Sequence, residues 1–163
     1  MKKLFLLRHA KSSWKDTLLG DHDRPLNGRG RDEAPLVGDY LRQRGLSPAC
    51  VAVSTARRAT QTAADVLSAI RYEGRIVASR ALYLAEVDAL LAFIAQTPQD
   101  CPSLMVIAHN PGLEQLLERL TGQPAPMPTS SLAHIALDMD DWRELERITN
   151  GELLDLWRPA LRH

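Results

Sequence analysis

The chain has 163 residues, of which 45% are hydrophobic, and its twenty basic side chains are balanced by twenty acidic ones. This length suffices for one domain, residues 1–163, which can bury its own core without a metal ion or a disulfide. The balanced charge gives no electrostatic basis for a nucleic-acid or membrane partner, and no apolar run approaches the roughly eighteen residues of a membrane helix.

An apolar run over residues 2–7 opens the chain and predicts a first strand. It resembles the start of a signal peptide, but Arg8 interrupts it, and we therefore interpret it as a strand and not as a targeting segment. Cys50 and Cys101 lie in or beside predicted strands and have neither CxxC nor metal-type spacing. This pattern favours buried, reduced thiols, and with them a cytoplasmic location.

Strand and helix signals then alternate along the chain. The first helix is predicted over residues 27–44, with Asn27 as its N-cap and Gly45 as its C-terminal stop. Pro35 falls inside this span, so that the helix either kinks there or becomes regular only from Pro35 onward. Three further helices are predicted at about 58–70, 87–96 and 112–121, the last one stopped by Gly122.

The remaining strands are predicted at 49–53, 75–78 and 103–108, and then at 130–138, 143–149 and 152–157 as a meander. The order is therefore strand and helix four times, followed by strands. This order predicts an α/β fold: three α/β/α layers around a central sheet that is mainly parallel and has an antiparallel edge.

Basic and histidine residues follow three of the predicted strands. Arg8 and His9 follow the first, Arg57 and Arg58 the second, and His109 the fourth. The carboxyl ends of parallel strands line one crevice of an open sheet, so these side chains are expected to converge. Such a pocket is suited to an anion, and phosphate in particular, because arginine binds its oxygens in a bidentate way.

The motifs that carry these residues resemble those of the histidine phosphatase (phosphoglycerate mutase-like) superfamily. They are the segments 7–10, 54–63 and 108–112, in the order and at the spacing found in that family. Segments 8–12, 23–30 and 82–85 are similar to the small phosphohistidine phosphatase (SixA-like) branch. Ala10 and Thr55 stand where most members have glycine and proline, which affects backbone shape more than chemistry.

The resemblance implies a metal-independent phosphatase that uses no cofactor. His9 would attack phosphorus and become transiently phosphorylated. Arg8, Arg58 and His109 would stabilise the charge on the transferring phosphoryl oxygens. Alignment with the family selects Arg58, and its neighbour Arg57 is expected to be a surface charge.

Several other side chains are weaker candidates. Arg24 could reach the phosphate or form a salt bridge with Asp21 or Asp23. Ser12 could bind the phosphate or cap a turn, and Asn110 could orient a ring, bind phosphate or form an Asx turn. Four further residues are expected to play ordinary roles. Trp14 should pack under its loop, and His22, His134 and His163 fit no partner pattern.

The general acid is the open point of the mechanism. Glu86 and Asp88 lie near the place where many superfamily members carry an acid, although Asp88 fits a first-turn helix charge better. An imidazole leaving group needs less help from an acid than an alkoxide does. The expected substrate is therefore phosphohistidine in a protein, and the alternative is a small phosphate ester such as a nucleotide or sugar phosphate. With no long insertion to form a cap, the pocket is expected to be shallow and open.

Overall fold

The structure is a computed structural model, and it describes residues 1–160. Its six strands are β1 (Lys2–Arg8), β2 (Cys50–Ser54), β3 (Arg75–Ser79), β4 (Ser103–Ala108), β5 (Leu132–Leu137) and β6 (Glu152–Trp157). Its four α-helices are α1 (Gly28–Gln43), α2 (Arg57–Ala69), α3 (Val87–Ala95) and α4 (Gly112–Thr121). Three short 3-10 helices, Asp21–Asp23, Arg80–Leu82 and Trp142–Arg147, complete these elements.

The strands form one sheet in the order β3-β2-β4-β1-β5-β6. The first four are parallel to one another, whereas β5 and β6 run antiparallel at one edge. In the register of β1 and β4, Arg8 lies opposite Ala108. The residue that follows each strand, His9 or His109, therefore emerges at the same point of the sheet, where the strand order reverses and α/β folds place their crevice.

Hydrophobic cores lie on both faces of the sheet, because side chains alternate along each strand. On β1, Leu4 and Leu6 pack in a cluster with residues of α3 and α4. Phe5 and Leu7 pack on the other face with residues of α1 and α2. This arrangement confirms the predicted three-layer α/β fold with its antiparallel edge.

The predicted helix ends are confirmed for α1 and α4. The Asn27 side chain accepts a hydrogen bond from the Gly30 backbone N–H at 2.8 Å. Gly45 and Gly122 adopt positive φ angles after the two helices, as left-handed caps require. Helix α1 extends from Gly28 through Pro35, so of the two alternatives the one in which its regular part begins at Pro35 is wrong.

The strand predicted at 143–149 is also wrong, because this segment forms the 3-10 helix Trp142–Arg147. Trp142, Leu145 and Ile148 are the buried residues of the segment, and they recur every three positions. This period matches the three residues per turn of a 3-10 helix and not the two-residue period of a strand. A capping box between Asp141 and Glu144 starts the helix.

The two cysteines are bonded to each other, which corrects the prediction of reduced thiols. Cys50 opens β2, Cys101 lies two residues before the neighbouring strand β4, and their Cα atoms are 5.9 Å apart. They are 51 residues apart in sequence, so only the pairing of β2 with β4 brings them together. Free thiols were the reason for predicting a cytoplasmic location. With the two cysteines bonded, that location stays a prediction. Among residues 1–160, no helix is both long and apolar enough to cross a membrane.

Candidate active site

His9 follows β1 and is only 6% exposed. Its Nδ1 lies 2.7 Å from the carbonyl oxygen of Ala10. A carbonyl can only accept, so Nδ1 carries the proton and Nε2 of the neutral ring keeps its lone pair. Burial, together with the positive charges of Arg58, Arg8 and Arg24, lowers the pKa of His9 to about 4. At neutral pH, His9 is therefore an uncharged imidazole with a free nucleophilic nitrogen.

His109 follows β4, and its ring centroid lies 5.1 Å from that of His9. Its Nε2 is 2.7 Å from Ser54 Oγ, and its Nδ1 is 3.5 Å from Nη2 of Arg58. Arginine can only donate, so Nδ1 is the acceptor and Nε2–H donates to Ser54. Burial, followed by the nearby His9 and Arg58, lowers the pKa of His109 to about 3.

Two guanidinium groups flank the histidines, and each keeps an unused donor. Arg58 donates from Nη1 to the Asp21 carbonyl at 2.7 Å and from Nη2 to the Asp21 carboxylate at 2.9 Å. Arg8 donates from Nη1 to the Met127 carbonyl at 3.2 Å. Within residues 1–160, the buried Nε–H of Arg8 and that of Arg58 find no hydrogen-bond partner. An unpaired buried donor is destabilising, and a bound anion would supply the missing acceptor.

Asp21 contributes a negatively charged carboxylate to the group of arginines around the two histidines. Its carboxylate accepts hydrogen bonds from Arg24, Arg58 and the Tyr83 hydroxyl. Burial raises the pKa of Asp21, but the hydrogen bonds from Tyr83, Arg58 and Arg24 outweigh this and hold the pKa far below its ordinary value. Asp21 therefore stays ionised, and the Asp21–Asp23 turn lies over Arg58.

Arg24 forms the salt bridge with Asp21 that the sequence left as one alternative, with Nη2 and Oδ1 3.0 Å apart. Its Nη1 donates to Ser12 Oγ at 2.7 Å, so the Ser12 hydroxyl supports Arg24. Trp14 does not pack under the loop as predicted. It is 70% exposed, and its ring lies 3.5 Å over the Arg24 guanidinium group.

Asn110 is used within the protein, which argues against the predicted phosphate contact. Its Nδ2 donates to Glu114 Oε1 and to the Met127 carbonyl, each at 2.8 Å, and its Oδ1 accepts from the Glu114 backbone N–H. Both amide hydrogens are therefore occupied. Asn110 joins the start of α4 to the proline-rich loop before β5.

Glu86 is exposed at the N-cap of α3, where its side chain makes no capping hydrogen bond. The carbonyl of its neighbour Ala85 packs directly against Gly112 at the start of α4. The role of Glu86 as a general acid therefore stays a prediction. Asp88 is exposed in the first turn of α3, as expected.

Four other residues had roles predicted from the sequence, namely Arg57, His22, His134 and His163. Arg57 is exposed, in agreement with its assignment as a surface charge, whereas Arg58 is 2% exposed. His134 stacks on Phe5 at 4.3 Å. His22 is no ordinary surface residue, since its Nε2 lies 2.8 Å from Thr55 Oγ1. His163 lies outside the described residues.

Tyr83 is the site residue that sequence reasoning missed. Its hydroxyl donates to the Asp21 carboxylate, and its ring stands edge-on to His109 with centroids 5.5 Å apart. The ring of His22 meets it edge-on from another side at 4.7 Å. The signal was present in the 82–85 motif, which carried the family resemblance without any chemical role for its tyrosine.

No group of three or more histidine, cysteine or acidic side chains suited to a metal ion occurs among residues 1–160. Asp21, the first residue of the Asp-His-Asp segment, is bound by arginines. Buried arginines therefore provide the positive charge of this site.

A family model described as "Histidine phosphatase superfamily (branch 1)" matches residues 4–82 of the chain. An uncharacterized chloroplastic protein of Arabidopsis thaliana is 31% identical over 88% of this chain and 70% of its own length. An uncharacterized protein of Mycobacterium tuberculosis is 33% identical over 86% of this chain and 92% of its own length.

Among solved structures, a SixA protein of Agrobacterium tumefaciens, described as a candidate phosphohistidine phosphatase, is 30% identical. The two structures match with a TM-score of 0.84 over 97% of this chain and 98% of that one. The protein histidine phosphatase SixA complexed with tungstate is 26% identical, with a TM-score of 0.81 over 96% of each chain. A mycobacterial glucosyl-3-phosphoglycerate phosphatase is 16% identical and shares the fold, with a TM-score of 0.69 over 99% of this chain and 100% of that one.

Proposed function

The chain belongs to the histidine phosphatase superfamily, in which it resembles the SixA-like branch, and on this basis we propose that it hydrolyses phosphohistidine in proteins. The reaction proceeds without a metal ion and through a phosphorylated His9. The observation that carries the proposal is the pair of buried, unpartnered Nε–H donors on Arg8 and Arg58 beside the neutral ring of His9.

The first step transfers the phosphoryl group to the enzyme. The lone pair of His9 Nε2 attacks phosphorus, and the bond from phosphorus to the substrate nitrogen breaks with its electron pair going to that nitrogen. The substrate ring carries a proton on its other nitrogen, so it leaves as a neutral imidazole and needs no proton from the enzyme. The hydrogen bond from His9 Nδ1 to the Ala10 carbonyl stabilises the positive charge that develops on the ring.

The second step returns the enzyme to its resting state. Water attacks the phosphorus of phosphorylated His9, the bond from Nε2 to phosphorus breaks, and inorganic phosphate leaves. In both steps, the guanidinium groups of Arg8 and Arg58 neutralise charge on the phosphoryl oxygens, which is the main requirement of phosphoryl transfer. In this arrangement His109 Nδ1 accepts from Arg58 and Nε2–H donates to Ser54, so the predicted role of His109 as a donor to the phosphoryl oxygens requires its protonation.

The acid–base chemistry of the site favours phosphohistidine over an ester. An alkoxide leaving group needs a proton donor in the transition state, whereas an imidazole has a reference pKa of about 6.5 and leaves more readily. Asp21 is the carboxylate bound to Arg58, but it is held ionised and is a poor proton donor. Glu86 is exposed at the end of α3.

The burial of the site limits how the substrate enters. His9 and His109 are 6% and 2% exposed, so the crevice is less open than the sequence suggested. The Asp21 carboxylate occupies one side of the Arg58 guanidinium group. A substrate phosphoryl group that binds Arg58 must therefore share this group with Asp21 or displace it.

A turnover screen in the presence of EDTA tests the proposal. We expect hydrolysis of a phosphohistidine peptide at a higher kcat/KM than that of p-nitrophenyl phosphate or sugar phosphates, and no effect of the chelator. Loss of turnover with EDTA, or a preference for a sugar phosphate, would contradict the proposal. Acid quenching after a pulse of labelled peptide should trap no acid-stable phosphate on the enzyme, because phosphohistidine is acid-labile, whereas an alkaline quench should trap it on His9.

Glu86→Gln, with Asp88→Asn as its matched control on the same helix turn, separates the substrate classes. If Glu86 serves as a proton donor for esters, the Glu86 variant slows an alkyl phosphate, such as a sugar phosphate, far more than the phosphohistidine peptide. General acid catalysis contributes about a hundredfold or more, so the contrast is measurable. We expect less than a threefold change on the peptide. An equal hundredfold loss on both substrates would make Glu86 an obligatory acid and would favour a general phosphomonoesterase.

A further inference from the structure

Ser130 lies in the loop before β5, and backbone hydrogen bonds hold it to the end of β1. Its backbone N–H is shared between the carbonyl oxygens of Arg8 and His9, each at 3.2 Å. The backbone N–H of Arg8 in turn donates to the carbonyl of Ser131 at 3.0 Å. Ser130 is thus held next to the two residues at the centre of the proposed reaction.

The backbone of Ser130 is in an unfavourable conformation. Its φ angle is 66°, in the left-handed region that suits glycine and costs free energy for a residue with a Cβ atom. Arg71 and Leu84 also have positive φ angles, but both are exposed. Ser130 combines this conformation with complete burial. Buried backbone strain of this kind occurs mostly where function requires it.

The hydroxyl of Ser130 is also unsatisfied. Its Oγ is buried and has no hydrogen-bond partner among the described residues. Only three other side-chain atoms within residues 1–160 share this property: Arg8 Nε, Arg58 Nε and Asp155 Oδ2. Two of them belong to the arginines of the site. Glycine at position 130 would avoid both the strain and the buried hydroxyl, so the O–H group is the property that distinguishes serine here.

We infer that Ser130 is a further catalytic residue, whose hydroxyl donates a hydrogen bond to an oxygen of the phosphoryl group at His9. This inference rests on the proposed function and deepens it. The hydroxyl would join Arg8 Nε and Arg58 Nε as a third donor, which matches the three oxygens that carry the charge of a phosphoryl group during transfer. All three donors lack partners within residues 1–160 and would gain one when the phosphoryl group binds.

Ser130→Gly tests the inference, because it removes the hydroxyl and relieves the backbone at once. We expect its melting temperature to equal or exceed that of the wild type. A hydrogen bond to a charged group is worth a factor of roughly ten to a hundred in affinity. We therefore expect kcat/KM for the phosphohistidine peptide to fall by about this factor and the Kd of tungstate, a phosphate analogue, to rise similarly. Ser130→Ala should show the same losses.

Ser131→Ala is the matched control, since Ser131 is a neighbouring buried serine that lines a different cleft with Leu156 and Trp157. We expect its kcat/KM and tungstate affinity to stay within about twofold of the wild type. If Ser130→Gly folds and keeps wild-type kcat/KM and tungstate affinity, the inference is overturned, while wild-type turnover still supports the proposed function. If the wild type turns over no phosphohistidine, the proposed function fails, and tungstate calorimetry still decides whether the Ser130 hydroxyl contacts the anion.

Discussion

The carboxyl and amino ends of the parallel strands bury different kinds of residues. At the carboxyl end, His9, Arg58 and His109 are buried polar groups, and the buried Nε–H of Arg58 has no partner in the part of the chain that the structure describes. At the amino end, Cys50 and Cys101 are joined covalently beside apolar side chains. The carboxyl end therefore keeps buried donors that a bound anion could pair, whereas at the amino end a covalent bond joins the start of β2 to the segment before β4. Substitutions at the carboxyl end should therefore affect turnover more than stability, and substitutions at the amino end the reverse.

The largest expected effect is that of His9→Ala. Removal of the nucleophile should reduce turnover of the phosphohistidine peptide to background, because the covalent intermediate forms on this ring. The ring lies in the crevice and contributes little to the hydrophobic cores, so circular dichroism and the melting temperature should stay close to wild type. A variant that folds and retains more than about one per cent of the wild-type kcat would exclude covalent catalysis by His9.

Next in size is the contrast between Arg58→Ala and Arg57→Ala. Loss of one preorganised donor to a transition state typically costs about a hundred- to a thousandfold in kcat, and we expect this for Arg58. Arg57 is adjacent but exposed, so its variant should stay within twofold. Steady-state kinetics on both variants measure the difference. Similar losses in the two would show that general surface charge, and not the buried donor, attracts the substrate.

Removal of the disulfide should reduce the stability of the protein more than its turnover. The bond closes a loop with a sequence separation of 51 residues, for which chain entropy predicts about 4 kcal/mol of stabilisation. We expect the double variant Cys50→Ala and Cys101→Ala to lose roughly that much free energy of unfolding in urea titrations. Its kcat/KM at 20 °C should remain within about twofold of the wild type. A large loss of activity in a folded variant would mean that the two ends of the sheet are coupled.

The smallest effect concerns the pH dependence of the buried histidines. Their pKa values of about 4 and 3 lie below the ordinary value of 6.5, so the unfolded chain binds protons more tightly than the folded protein does. Stability should therefore be complete above pH 6.5 and decrease as the pH falls towards 4 and 3. NMR titration should show both rings neutral at pH 5.5. Midpoints near 6.5 for His9 and His109 would contradict the burial argument, and His9→Ala should weaken the pH dependence of urea unfolding.

Much of the fold could be predicted from local patterns. The apolar run of β1 and the caps Asn27 and Gly122 are local signals, and they were interpreted correctly. The segment after β5 was interpreted wrongly, because its buried residues, which are spaced by three positions, were assigned to a strand. The spacing of Trp142, Leu145 and Ile148 fits a 3-10 helix, but three residues are too few to establish that period from the sequence alone.

By itself, the sequence determined which elements form and which residues follow the strands, because periodicity, caps and strand ends are local properties of the chain. Only the tertiary structure decided which residues that are distant in sequence contact one another. It brought Cys50 to Cys101 across β2 and β4, placed the Asp21 carboxylate on Arg58, and set Ser130 against the end of β1. These contacts join residues 37 to 122 positions apart, and no local pattern encodes them. They depend on the register of the sheet and on the burial that fixes each side chain.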